Sequence, residues 1–189
     1  MVECEIADKK QTPKVIMYAG SLHVEYGVKL LTEAFLSGEF NGCELHIYGA
    51  GNYQEELQRI AKENSSIKYF GVVDNAEIVD RQLKATLMVN PRPTNEDFVK
   101  YSFPSKTMEY MASGTPLLTT KIPSMPNEYL DYVYLIDDET VDGVKDALLG
   151  VLGKPVEVLH EKGTGAKYFV LEKKNNYIQA KKLIEFIKG

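Results

Sequence analysis

The 189 residues carry 22 Lys and Arg against 27 Asp and Glu, a net charge of −5, with 44% apolar and 26% charged residues. That is the balance of one soluble globular domain with a sizeable core, and it excludes broad, sequence-independent nucleic-acid binding, which needs clustered cations. No apolar run reaches membrane-spanning length and no signal peptide is visible; Cys4 and Cys43 have neither metal-ligand spacing nor the number for a disulfide framework, so a reducing compartment is the default.

Residues 1–12 are polar and unpatterned and read as a tail or interdomain linker, with the domain itself over 13–189. Residues 15–19 predict a strand closed by Gly20. Apolar positions 28, 31 and 35, with 30 and 34, have helical spacing. Residues 44–48 predict a second strand closed by Gly49, and Tyr53, Leu57, Ile60 and Ala61 the next helix. A strand over 67–72, a helix marked by Ala76, Val79 and Leu83, and a strand over 85–89 follow. A long loop, 90–103, leads to a helix beginning near Pro104, where proline suits the first helical position. Gly114 is placed as a left-handed cap of that helix. Strands over 117–119 and 132–136, a helix through Val141, Val144, Leu148 and Val151, and a C-terminal helix through Ala180, Leu183, Ile184 and Ile187 complete the chain. This alternation predicts an α/β fold, a Rossmann-like parallel sheet of about six strands with helices on both faces. Ligands of such sheets bind beyond the carboxyl ends of the strands, here the loops 20–26, 49–53, 71–75, 90–103 and 120–128.

Gly49-Ala-Gly51 follows a strand and opens a helix, but Gln54 replaces the third glycine of a dinucleotide fingerprint and the strand is the second, not the first. It reads as a tight turn, or as glycines that let the backbone approach a nucleotide. No P-loop and no His-Glu-x-x-His run occurs, and His23, His46 and His160 are scattered. His46 is expected to be packed within a strand, and Cys43 to be a small buried residue.

Ser105, Lys106 and Glu109 stand at the start of the helix after Pro104. Ser105 and Glu109, four apart, share a face. A cation at Lys106 opposes the helix dipole, a penalty that a bound anion would reverse. The alternative is a surface Lys106–Glu109 pair worth about 0.2–0.5 kcal/mol. Arg92 lies in a strand-end loop stiffened by Pro91 and Pro93, as a diphosphate ligand or an exposed arginine. Lys100 has the same ambiguity, and Glu96 and Asp97 add negative charge nearby.

Residues 15–22 with 26–35, then 45–51, 67–73 and 101–116 (Tyr-Ser-Phe-Pro-Ser-Lys-Thr-Met-Glu-Tyr-Met-Ala-Ser-Gly-Thr-Pro), resemble in order and spacing the C-terminal domain of family 4, or group 1, glycosyltransferases. The resemblance covers roughly 13–189. It implies one half of a GT-B fold, the half that binds the nucleotide-sugar donor, with the N-terminal acceptor domain outside this chain and a C-terminal helix that packs back toward it. By matching positions, Glu109 would accept hydrogen bonds from the donor ribose, and the backbone at Ser105 and Lys106, beside Phe103, would hold the diphosphate. The segment Phe70, Gly71 and Val72 would read the base. Gly20 and Ser21 would lie beneath the phosphates, with Gly49 and Gly51 in the neighbouring turn. The family's first glutamate falls at Tyr101, near the donor sugar. Its arginine and lysine after the first strand fall at Ser21 and Tyr26, leaving Arg92, Lys100 or Lys106 to compensate.

The resemblance thus implies a retaining hexosyltransferase of bacterial surface-polysaccharide or glycolipid synthesis. It needs no cofactor and no metal, and uses a nucleotide-diphosphate sugar, with UDP favoured over GDP. Catalytic groups are expected mainly in the acceptor domain, so that this chain alone transfers nothing. A cytoplasmic location is expected, at the inner membrane face if the other half associates with lipid. A GT-B sugar-nucleotide epimerase and a non-catalytic receiver-like module are the alternatives.

Overall fold

Six short runs rich in apolar and β-branched residues form the strands of one parallel sheet. In the computed structural model, which describes residues 13–188, these are β1 (Lys14–Ala19), β2 (Cys43–Tyr48), β3 (Ile67–Gly71), β4 (Leu87–Asn90), β5 (Leu117–Thr120) and β6 (Tyr134–Ile136). The helices are α1 (Val28–Ser37), α2 (Gln54–Glu63), α3 (Asn75–Lys84), α4 (Ser105–Ser113), α5 (Val141–Leu152), α6 (Val156–Lys173) and α7 (Asn176–Lys188). The expected tail at 1–12, with Cys4, lies outside the described residues.

The strand order is β3-β2-β1-β4-β5-β6, every pair parallel. This is the doubly wound order that reverses beside its first strand. A receiver-like fold has the order 2-1-3-4-5 instead, and that alternative is set aside.

Both sheet faces are buried, so the strands read as nearly continuous apolar runs. Ile16, Tyr18, Leu45, Ile47 and Val89 pack under α1, α2 and α5 through Leu31, Phe35, Leu57 and Leu148. Val15, Met17, Ala19, Met88 and Leu117 face α3, α4 and α6 through Tyr110, Met111, Ala166 and Phe169. Among the described residues, three helices are capped by side chains at their starts, α7 by Asn175, which accepts from the Ile178 N–H at 2.9 Å. Asp74 accepts from the Glu77 N–H at 2.8 Å to start α3, and Thr140 from the Gly143 N–H at 3.1 Å to start α5.

Several expectations are corrected. Pro104 is the cap of α4, with extended ψ of 125°, and Ser105 is its first residue; the Pro104 carbonyl accepts from the Thr107 N–H. β4 begins at Leu87 and β6 at Tyr134, a 3-10 turn over Asn127–Tyr132 taking the start of the expected last strand. Cys43 opens β2 half-buried rather than buried. Helix α6 lies in a segment for which the sequence pattern predicts no element. Its buried stripe of Leu159, Gly163, Ala166, Phe169 and Val170 includes two small residues, while Val156, Val158, Tyr168 and Leu171 sit exposed and blur the period. Gly163 is required there, since a Cβ would lie 2.1 Å from the Gly114 carbonyl oxygen.

Candidate functional site

The pairing of β1 with β4 is brief, Ile16 with Leu87 and Met17 with Met88. Beyond it each chain follows its other neighbour. The Gly20 N–H donates to the Tyr48 carbonyl at 2.9 Å, and the Thr119 hydroxyl donates to the Asn90 carbonyl at 3.0 Å. The two strand ends therefore diverge, and a crevice opens at the point where the strand order reverses.

That crevice is a groove of about 420 Å³. From β1 and its loop come Tyr18, Ser21 and Tyr26, and from β4 and its loop Asn90 and Arg92. Phe103, Ser105 and Lys106 come from the start of α4. Tyr110 locks α4 to the end of β1, its buried hydroxyl donating to the Ala19 carbonyl at 2.6 Å and accepting from the Ala19 N–H at 3.0 Å. The Tyr18 hydroxyl fixes the next turn by donating to the Ser21 carbonyl at 2.7 Å. No side chain caps the N-terminus of α4, and the Pro104 carbonyl takes the Thr107 N–H, leaving those of Ser105 and Lys106 at the groove end.

Two cations meet here. Lys106 folds back over the β1 turn, its ammonium so close to Gly20 that a Cβ on that residue would lie 1.8 Å from Nζ. The absence of a side chain at Gly20 makes this room. Lys106 forms no hydrogen bond or ion pair among the described residues, and the expected surface pair with Glu109 is not made. Burial lowers the Lys106 pKa, the Glu109 charge partly restores it, and Arg92 lowers it further. The Arg92 guanidinium lies against the rings of both Tyr26, 4.9 Å away, and Phe98, 4.5 Å away, and its Nε is buried without a partner among the described residues. Lys100 is drawn off instead, donating to Asp97 at 2.8 Å on the surface. Of the three candidate compensating cations, Arg92 and Lys106 line the groove.

The other candidates are spread more widely. Ser105 is exposed at the groove end, and Glu109 is exposed one turn further along α4, outside the groove lining. Phe103 packs at 4.9 Å on Tyr129. Tyr101 is 89% exposed after the 3-10 turn Asp97–Lys100. Phe70, Gly71 and Val72 line a separate, larger groove of about 780 Å³ at the sheet edge, walled also by Gln54, Gln58 and Lys68. Volume does not decide between the two, because only the smaller groove gathers Arg92 and Lys106 beside a helix N-terminus. Gly49 and Gly51 serve loop packing: Cβ atoms there would lie 1.8 Å from the Gly20 carbonyl oxygen and 2.4 Å from the Leu22 carbonyl carbon. His46 is packed as expected, 2.7 Å from Glu44, and His23 is half-buried beside Tyr26.

Tyr110, Tyr18 and Phe98 were not among the residues expected at the site. Each acts through a contact far along the chain or across a loop, and nothing in the local pattern announces it.

A family model described as glycosyl transferases group 1 matches residues 13–154. No curated protein sequence matches significantly. Solved structures match in fold. The C-terminal domain of the group 1 glycosyl transferase LpcC from Francisella tularensis superposes with a TM-score of 0.72 at 17% identity, over 89% of this chain and 90% of that one. TarM from S. aureus, in complex with UDP among other ligands, gives 0.74 at 15% identity, over 93% of this chain and 36% of that one. HepE from Anabaena, in complex with UDP and glucose, gives 0.73 at 13% identity, over 100% of this chain and 51% of that one. The chain therefore spans about a third of TarM and half of HepE.

Proposed function

The chain belongs to the group 1 glycosyltransferases and has the fold of their C-terminal half-domains, and we propose that it binds the nucleotide-diphosphate sugar donor of a retaining hexosyltransferase. The carrying observation is the convergence of Arg92 and Lys106 on the crevice between β1 and β4, where α4 begins. Two cations with no ion-pair partner among the described residues, beside the helix-start N–H groups of Ser105 and Lys106, suit a diphosphate. As the glycosidic bond breaks, negative charge grows on the departing diphosphate, and these groups stabilise it without rearrangement.

In this reading Glu109 accepts the ribose hydroxyls, a task for which an ionised carboxylate has only acceptors. The base lies toward the backbone of Phe70, Gly71 and Val72, and the sugar toward Tyr101. UDP is favoured over GDP, in keeping with the UDP held by TarM and HepE. In this reading residues 13–189 form the donor domain, 1–12 are a tail or interdomain linker, and an acceptor domain supplies the remaining catalytic groups. Action on a surface polysaccharide or glycolipid at the inner face of a membrane fits the family match; no described helix is long and apolar enough to cross one.

Calorimetry with UDP tests the reading. Glu109→Ala should weaken binding by roughly 10- to 100-fold, the loss of hydrogen bonds to a charged acceptor. Equal affinity in the variant removes Glu109 from the ribose role.

A further inference from the structure

We propose that Tyr26 and Phe98 are positioning residues that hold Arg92 edge-on to the groove, so that it and Lys106 form the phosphate clamp of this chain. The inference rests on the donor-binding reading above and specifies how its diphosphate is held.

The two rings stand at 90° to each other with centroids 5.5 Å apart, and the guanidinium lies within 5 Å of both. A guanidinium donates only in its own plane, so a ring against its face leaves the N–H fork available to a ligand, and the second ring, perpendicular to the first, limits its swing. The backbone around the clamp is fixed from both sides. Gly27 has φ 81°, and a Cβ there would lie 1.9 Å from the Pro91 carbonyl oxygen, so only glycine lets the loop after β4 approach Tyr26. The Thr120 hydroxyl donates to the Arg92 carbonyl, and the Thr94 N–H to Glu139 at 2.9 Å. The loop is thus tied to β5 and to the segment before α5, and Arg92 is presented by a rigid frame.

Across the groove, Lys106 is carried by the first turn of α4, which Tyr110 fastens to β1. Arg92 and Lys106 repel each other, and no carboxylate pairs with either among the described residues. A diphosphate between them relieves both. Tyr26 thus contributes to anion binding without touching the anion, by presenting a cation that originates 66 residues further along the chain.

The test is calorimetry on the full chain with UDP and with inorganic pyrophosphate, together with the NMR signal of the Arg92 Nε–H. Wild-type protein should bind both ligands, and the Arg92 signal should be displaced by the two rings and shift again on ligand addition. Tyr26→Leu should weaken both ligands by roughly five- to tenfold and move the unliganded Arg92 signal, whereas Tyr26→Phe should restore binding to within about twofold. Arg92→Gln should weaken both ligands and make Tyr26→Leu silent in the double variant. The clamp is overturned if UDP binds and Arg92→Gln leaves its affinity unchanged, or if the Tyr26→Leu and Arg92→Gln losses simply add. Pyrophosphate binding that depends on Arg92, with UDP binding no more tightly, keeps the clamp and removes the nucleotide reading. Binding of neither ligand removes both.

Discussion

The Tyr110 hydroxyl serves Ala19 twice, as donor and as acceptor, and so couples the helix that carries Lys106 to the strand that leads into Gly20. Tyr110→Phe leaves a buried N–H and a buried carbonyl at Ala19 short of a partner. The variant should lose about 1–3 kcal/mol of stability in denaturant unfolding, with UDP affinity falling as α4 loosens. Lys106 makes a prediction of opposite character. Its pKa in the fold is lowered from 10.5, by burial first and by Arg92 as well, with Glu109 opposing. The fold therefore disfavours the charged amine, and stability without ligand rises as pH climbs through the window from the lowered value to 10.5. A bound diphosphate favours the charged amine. UDP affinity should accordingly be greatest at neutral pH and fall as pH rises through that window, and Lys106→Met should flatten the dependence in calorimetry. Arg92 and Lys106, which line the groove, are legible in the sequence because a cation between prolines, or at a helix start, is odd locally. Tyr110, Tyr26 and Phe98 are not, because an aromatic residue acquires its task only from partners that the fold supplies.

At the scale of elements, two helix glycines look alike in sequence and differ in three dimensions. A Cβ added to Gly150 in α5 would have nothing within 4 Å, whereas one added to Gly163 in α6 would lie 2.1 Å from the Gly114 carbonyl oxygen. Gly150→Ala should raise stability by about 0.5–1 kcal/mol through helix propensity. Gly163→Ala gains the same propensity but forces α6 off the end of α4, and a net loss of about 1–3 kcal/mol is expected in the same unfolding assay. This contact also bears on the helix that periodicity did not reveal: the buried face of α6 includes the small residues Gly163 and Ala166, while further apolar residues, Val156, Val158, Tyr168 and Leu171, lie exposed off that face. The strands were legible from their apolar runs and closing glycines, while their ends shifted by a residue or two wherever a 3-10 turn or a loop hydrogen bond took over the backbone.

For the molecule as a whole, the strand order matters more than any one motif. Because β1 is bonded to both β2 and β4, the chains leaving its carboxyl end and that of β4 must part, and a ligand site follows from topology before any side chain is chosen. Strand–helix alternation made that architecture legible, and four motifs in order pointed to its family. Local pattern could not show which of several loop cations would meet, since Lys100 and Arg92 share one loop and only the fold sends the first to Asp97 and the second to the groove. A crystal structure of the chain with UDP bound decides the matter. The diphosphate should lie between Arg92 and Lys106 at the N-terminus of α4, with the ribose hydroxyls within hydrogen-bonding distance of Glu109. A nucleotide bound elsewhere, with Arg92 and Lys106 bare and Glu109 turned to solvent, would contradict the donor-site assignment.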